Sequence, residues 1–157
     1  MARFVLCFNT STIQPASLMD KIKAAGDAGY EAIELWNDDL TNYEDSGGRL
    51  LEIRSALDDQ GLQVPNVVHL SGWMDAENRV YKTKVLSEAR RLMEQGVAVG
   101  ASRIIVGPGH GKVDLNLAAD RYCELIELGQ TLGCLPVLEF LGFVEQVNNV
   151  GILVGDC

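Results

Sequence analysis

Short apolar, β-prone runs alternate along the chain with longer segments of helical period. The runs span Phe4 to Phe8, Ala32 to Trp36, Val64 to Leu70, Arg103 to Val106 and Leu135 to Phe140. Between them, apolar residues recur every three to four positions, as on a helix with one buried face. Leu18, Ile22 and Ala25 form such a stripe, with Pro15 suited to a first turn. Leu50, Ile53 and Leu57 form the second, and Val85, Leu86, Ala89, Leu92 and Met93 the third and strongest. Leu117, Leu125, Leu128 and Leu132 form the fourth. The helices are expected to stop at Gly29, Gly61, Gly100 and Gly133, where a glycine can take the left-handed conformation that ends a helix. The polar stretch Asn37 to Gly48 reads as the longest loop.

Short helix-to-strand turns favour consecutive parallel strands, so the pattern predicts an α/β fold built from βα units. Among parallel architectures covered by helices on both faces, strands read as continuous apolar runs. Leu135 to Phe143 reads as such a strand. It carries Glu139: buried and unpaired there, a carboxylate costs several kcal/mol and calls for a metal, a basic partner or a raised pKa, unless it stands at the strand's end and simply reaches solvent or pairs with a Lys.

In α/β sheets and barrels, ligands meet the C-terminal ends of the strands. The residues at those ends are Asn9 to Ser11, Glu34 to Asn37, His69 to Ser71, Gly107 to Lys112 and Glu139. Both histidines are among them, and each could serve as a metal ligand, a proton carrier or a substrate donor. Glu34 and Trp36 alternate along one strand and so share a face. Trp36 and Trp73 could wall a pocket, or simply plug the mouth of a barrel. Gly107-Pro108-Gly109-His110-Gly111-Lys112 has the glycines of an anion loop, but Val106 and Val113 stand where a Walker A motif needs Gly and Ser or Thr. That leaves a weaker phosphate site or a plain tight turn.

The chain has 157 residues, 47% of them hydrophobic, enough for one domain, 1–157, with a sizeable core. The net charge of −9 argues against a nucleic-acid partner, which needs a concentrated field of Lys and Arg. The absence of a signal-like or membrane-length apolar stretch makes a cytoplasmic, membrane-independent protein the expectation. Cys7, Cys123, Cys134 and Cys157 lack CxxC spacing and are expected to be free thiols.

Taken together, Gly29 to Trp36, Val67 to Leu70, Ile104 to Gly109 and Val137 to Phe140 resemble the xylose isomerase-like (β/α)₈, or TIM, barrel superfamily of sugar isomerases, sugar-phosphate epimerases, inosose dehydratases and apurinic endonucleases. The resemblance covers roughly residues 3 to 143. It implies that Glu139, ending strand five, is a metal ligand and an acid/base, and that His69 contacts substrate as a second catalytic residue. It also implies that Asp156 is a further metal ligand. Trp36, His110 and Lys112 are the candidate substrate-binding residues. The implied cofactor is a divalent metal, Mg²⁺ or Mn²⁺ for oxygen ligands, with Zn²⁺ or Co²⁺ as alternatives. The implied ligand is a small sugar or sugar phosphate. Gly107 stands where the endonuclease branch carries a histidine.

A full barrel of this kind takes about 250 residues. The chain supplies five strands and a sixth candidate at Gly151 to Val154, preceded by too few residues for a helical crossover. The expected fold is therefore an incomplete TIM-type barrel, and its open edges predict a homo-oligomer. The rival expectation is a non-catalytic barrel fragment or binding module.

Overall fold

The computed structural model describes residues 4–109 and 113–140. Five strands, β1 (Cys7–Asn9), β2 (Ala32–Trp36), β3 (Val67–Leu70), β4 (Arg103–Val106) and β5 (Leu135–Leu138), follow one another across the sheet in chain order. A short 3₁₀ turn (Thr10–Ile13) and the helices α1 (Leu18–Asp27), α2 (Asn37–Asp45) and α3 (Leu50–Asp59) connect the first three strands. Between β3 and β4 run α4 (Asn78–Val80), a π-helical turn (Tyr81–Val85) and α5 (Leu86–Ala98), and α6 (Leu115–Leu132) precedes β5. The expected sixth strand lies outside the described residues.

The chain divides into two compact units, one formed by residues up to Val68 with Gln95–Ser102, the other by His69–Glu94 and the residues from Arg103 onward. In the first unit β1 and β2 pair in parallel, with Phe8 opposite Ile33 and Asn9 opposite Glu34. On β2, Ile33 and Leu35 are fully buried, whereas Glu34 and Trp36 on the opposite face are half-exposed. The expected stripes are found on the helices: Leu18, Ile22 and Ala25 on α1 and Ile53 and Leu57 on α3 are all buried.

The stretch expected to be a loop after β2 is instead the helix α2. Two features that the polar composition conceals account for it. Asp38 and Asp39 occupy the first turn, where carboxylates meet the positive end of the helix dipole. Leu40 is fully buried and anchors the helix. Lys21 of α1, itself buried, pairs with Asp39 at 2.8 Å, and Gln95 donates to Glu44 at 2.7 Å.

In the second unit β4 and β5 pair in parallel, Ile104 opposite Pro136 and Val106 opposite Leu138. Ile104, Val106 and Pro136 are buried on one face, but Leu135 and Val137, on the other, are 45% and 37% exposed. The expectation that this strand is buried on both faces is thus corrected. Strand β5 ends the sheet among the described residues, and these cover its second face only in part. Helix α6 buries Leu125 as expected and half-buries Leu128 and Leu132, but its buried face is rotated away from the leucine stripe. Leu117 is exposed, and the buried line runs through Ala118, Arg121, Tyr122, Leu125 and Gly129. Small residues permit close approach there, and the two terminal nitrogens of Arg121 and the hydroxyl of Tyr122 find main-chain partners. Cys7 and Cys134 are free thiols, as expected.

Candidate functional site

In the second unit the C-terminal ends of three successive strands stand side by side. The Gly107 N–H donates to the Leu70 carbonyl at 3.0 Å, and the Glu139 N–H donates to the Val106 carbonyl at 3.1 Å. These two bonds carry the strand ladder one residue past β4 and β5. They place His69, Gly107 and Glu139 on one rim. The His69 side chain leans over the glycine, since a Cβ at Gly107 would stand 3.5 Å from its Cδ2.

Both His69 and Glu139 are exposed. The buried-carboxylate argument for Glu139 therefore fails, because a carboxylate facing solvent is under no electrostatic demand for a cation. What remains is its position at a strand end. His110, Lys112 and Asp156 lie outside the described residues.

The segment after β3 folds beneath the glycine arm that follows β4. Trp73 is fully buried, its Nε1–H donating to the Gly107 carbonyl at 2.6 Å and its ring 5.7 Å from that of Tyr122. It plugs and does not wall. The Gly109 N–H donates to the Met74 sulfur at 3.3 Å, and a Cβ at Gly109 would meet Val113 Cγ1 at 3.0 Å and Asp75 Cγ at 3.2 Å. Gly109 is thus required for close approach, and its amide is already engaged internally. This favours the tight turn over a phosphate cradle for the described part of the loop.

The same segment is fastened from below by Arg121. Its guanidinium donates to the carbonyls of Trp73 (3.1 Å), Met74 (3.3 Å) and Ala76 (2.8 Å) and lies 4.3 Å from the centre of the Tyr81 ring. Tyr81 in turn donates to the Arg121 carbonyl at 3.2 Å, and burial pushes its phenol well above the ordinary range. A lone arginine inside a leucine stripe gives no sign in sequence of such a role.

In the first unit a polar cluster gathers at the ends of β1 and β2. Asn9 Oδ1 accepts from Ser11 N–H at 2.8 Å and from Trp36 Nε1–H at 3.0 Å. Asn9 Nδ2 donates to one oxygen of Glu34, and Asn66 Nδ2 donates to the other at 2.5 Å. Burial first, and then the charge of Glu34, push the Cys7 thiol up from its ordinary value. The alternation of Glu34 and Trp36 was readable in sequence. Asn66 was not, because it lies within the run Val64 to Leu70 and nothing in the local pattern marks it as a partner of Glu34.

Among the described residues no three His, Cys, Asp or Glu side chains gather as a metal site. Glu139 is a chemically suitable oxygen donor for a divalent cation, but one carboxylate does not make a site. No helix among the described residues is long and apolar enough to cross a membrane.

Burial also raises the thiol of Cys134, which is fully buried, from 9.0 to about 11. A pKa raised by folding means that the stabilisation is complete below about pH 9 and is lost as pH climbs through about 11, worth at most roughly 2–3 kcal/mol. Tyr122, raised by burial, acts in the same direction. We expect urea midpoints to fall between pH 8 and pH 11, and to fall less in Cys134→Ala. Equal falls in both proteins would remove Cys134 as a contributor.

No family model and no curated protein sequence matches the chain. Solved structures do. A xylose isomerase-like TIM barrel/4-hydroxyphenylpyruvate dioxygenase fusion protein superimposes with a TM-score of 0.85 at 21% identity, over 98% of this chain and 25% of its own. The IOLI protein, solved with a bound zinc atom, gives 0.79 at 18% identity, over 88% of this chain and 52% of its own. D-psicose 3-epimerase, solved in the presence of D-fructose, gives 0.70 at 14% identity, over 89% and 53%. At these identities the likeness is one of fold. The chain has a TIM-barrel-type (β/α) fold in partial form, and spans a quarter of the first of these proteins and about half of the other two.

Proposed function

We propose that this chain serves a divalent-metal-dependent isomerase or epimerase acting on a small sugar or sugar phosphate. The observation that carries the reading is the rim of His69, Gly107 and Glu139, on adjoining strand ends of a fold shared with a sugar epimerase. Strand ends are where such barrels bind ligands.

In this reading Glu139 and Asp156 hold the cation, which would supply polarisation of neighbouring carbonyl and hydroxyl oxygens. The Glu139 carboxylate, exposed and within reach of solvent, also moves the proton between adjacent carbons. His69 orients the substrate, and His110 and Lys112 contact it, Lys112 through any phosphate; Trp36, in the first unit, is kept as a candidate substrate-binding residue in its own right. Mg²⁺ or Mn²⁺ suits the carboxylates, and the zinc in the IOLI structure keeps Zn²⁺ among the alternatives. Self-association across the exposed face of β5 belongs to the same proposal.

A second reading, a non-catalytic barrel fragment or binding module, is favoured by the exposure of Leu135 and Val137. Turnover of small aldoses and ketoses with added Mn²⁺, compared with chelator-treated protein, separates the two: metal-dependent conversion supports the enzyme, and its absence supports the fragment. For the ligand itself, Glu139→Gln is expected to weaken Mn²⁺ binding by about tenfold or more in calorimetry, the scale of losing one charged ligand. Unchanged affinity would remove Glu139 from the metal set.

A further inference from the structure

We propose that the exposed face of β5 is a self-complementary surface on which a second copy of this chain packs with its strand reversed, Arg103 of each copy meeting Glu139 of the other. The inference rests on the self-association given above and adds its geometry.

The outer edge of β5 is unsuited to an added strand. The Glu139 N–H bonds to the Val106 carbonyl, and Leu135 and Val137 stand opposite Arg103 and Ile105 of β4. Main-chain groups turn to alternate sides along a strand, so those of Leu135, Val137 and Glu139 face β4 and those of Pro136 face the free edge. Pro136 has no N–H to give. Its carbonyl already accepts from the hydroxyl of the buried Tyr122 at 3.2 Å. An incoming strand finds neither partner at that position, which leaves a second chain the face of β5 and not its edge.

That face carries a signed pattern. Leu135 and Val137 are exposed at its centre, with the half-buried Ile105 beside Val137. Arg103, in register with Leu135, is exposed at one end. Glu139, two residues past Val137 and so on the same side of the strand, is exposed at the other. Among the described residues neither charge has an ion-pair partner. A positive end, an apolar middle and a negative end match their own reverse. A two-fold axis running across the strands at the level of Val137 sets the arginine end of each copy over the glutamate end of the other, as an isologous contact requires. Packed sheets stand about 10 Å apart, a gap that an arginine and a glutamate span together. The apolar centre drives the association, and the charges fix its direction. Packing with the strands in the same direction sets like charges together and is disfavoured.

The contact engages the carboxylate to which a metal role was given, so the test uses the full chain treated with a chelator. Sedimentation equilibrium at micromolar concentration is expected to show a dimer. Arg103→Glu places like charges together at both ends of the contact and should weaken the dimer by about tenfold or more, as should Glu139→Arg. Combining Arg103→Glu with Glu139→Arg inverts the whole pattern and should restore the parent affinity. Both side chains are exposed, so the exchanges leave the fold intact. A parent chain that stays monomeric would overturn the contact, as would a dimer indifferent to Arg103→Glu or a double exchange that fails to recover it. Metal-dependent turnover by a monomeric chain would leave the proposed enzyme standing and sink this contact. A dimer that follows the charge pattern, with no turnover when Mn²⁺ is restored, would do the reverse.

Discussion

Replacing Arg121 with Met is expected to lower the free energy of unfolding by about 2–4 kcal/mol. The methionine keeps most of the volume but removes every donor, leaving the carbonyls of Trp73, Met74 and Ala76 facing an apolar stem. An unmade hydrogen bond to a buried group costs about 1–3 kcal/mol. Against this stands the relief of no longer burying a charge whose Nε has no partner. Three carbonyls and the Tyr81 ring outweigh one unsatisfied nitrogen, so the sign is destabilising. A domain of this size loses about 2–4 °C per kcal/mol, so the melting temperature should fall by about 5–15 °C. Arg121→Lys should recover only part, because an ammonium cannot reproduce the spread of a planar guanidinium over three acceptors. Thermal unfolding of the three proteins is the measurement. A parent-like melting temperature for Arg121→Met would mean that the segment after β3 holds its place without this clamp.

Replacing Gly129 with Ala is expected to destabilise by about 1–3 kcal/mol, in spite of alanine's better helix propensity. In an exposed helix the exchange would gain about 1 kcal/mol. Here a Cβ would stand 2.5 Å from the Cys134 carbonyl oxygen, 3.0 Å from Pro136 Cδ and 3.1 Å from Leu135 Cα. These are backbone and ring atoms of the strand that α6 leads into, and they cannot swing aside as a flexible side chain would. The same region holds the bonds from Gly133 N–H and Cys134 N–H to the Gly129 carbonyl at 2.8 and 3.0 Å, so any shift strains the turn as well. Overpacking of this kind costs more than propensity returns. Chemical denaturation decides between the two effects, and a midpoint above that of the parent would show that the turn relaxes freely.

The two variants also mark where pattern reading stops. The order of elements was legible, because a covered sheet strand must be apolar and a covering helix must carry an apolar stripe. Ile33 and Leu35, Ile53 and Leu57, and Ala89 and Met93 all obey that rule and all are buried. Gly29, Gly61, Gly100 and Gly133 all take positive φ where helix stops were expected. Helix α2 was missed because its polar residues hide a single buried anchor, Leu40, among first-turn carboxylates that favour a helix start. The face of α6 was misjudged because a hydrophobic stripe is only one way to satisfy a buried face. Arg121 satisfies it with main-chain carbonyls and Gly129 with close backbone approach, and neither registers as hydrophobicity.

For the candidate site, sequence alone placed the candidate residues at or near the C-terminal ends of strands, where α/β folds meet ligands. His69, Trp36, Glu34 and Glu139 all stand there. Tertiary structure decided what each position amounts to. It opened one face of β5, so that Glu139 meets solvent and not a low-dielectric interior. It also brought Asn9, Glu34 and Asn66 together from three separate stretches of chain. Hydrophobic period reports whether a residue is covered. Which polar groups meet depends on register and on what lies beyond the last strand, and local pattern carries neither.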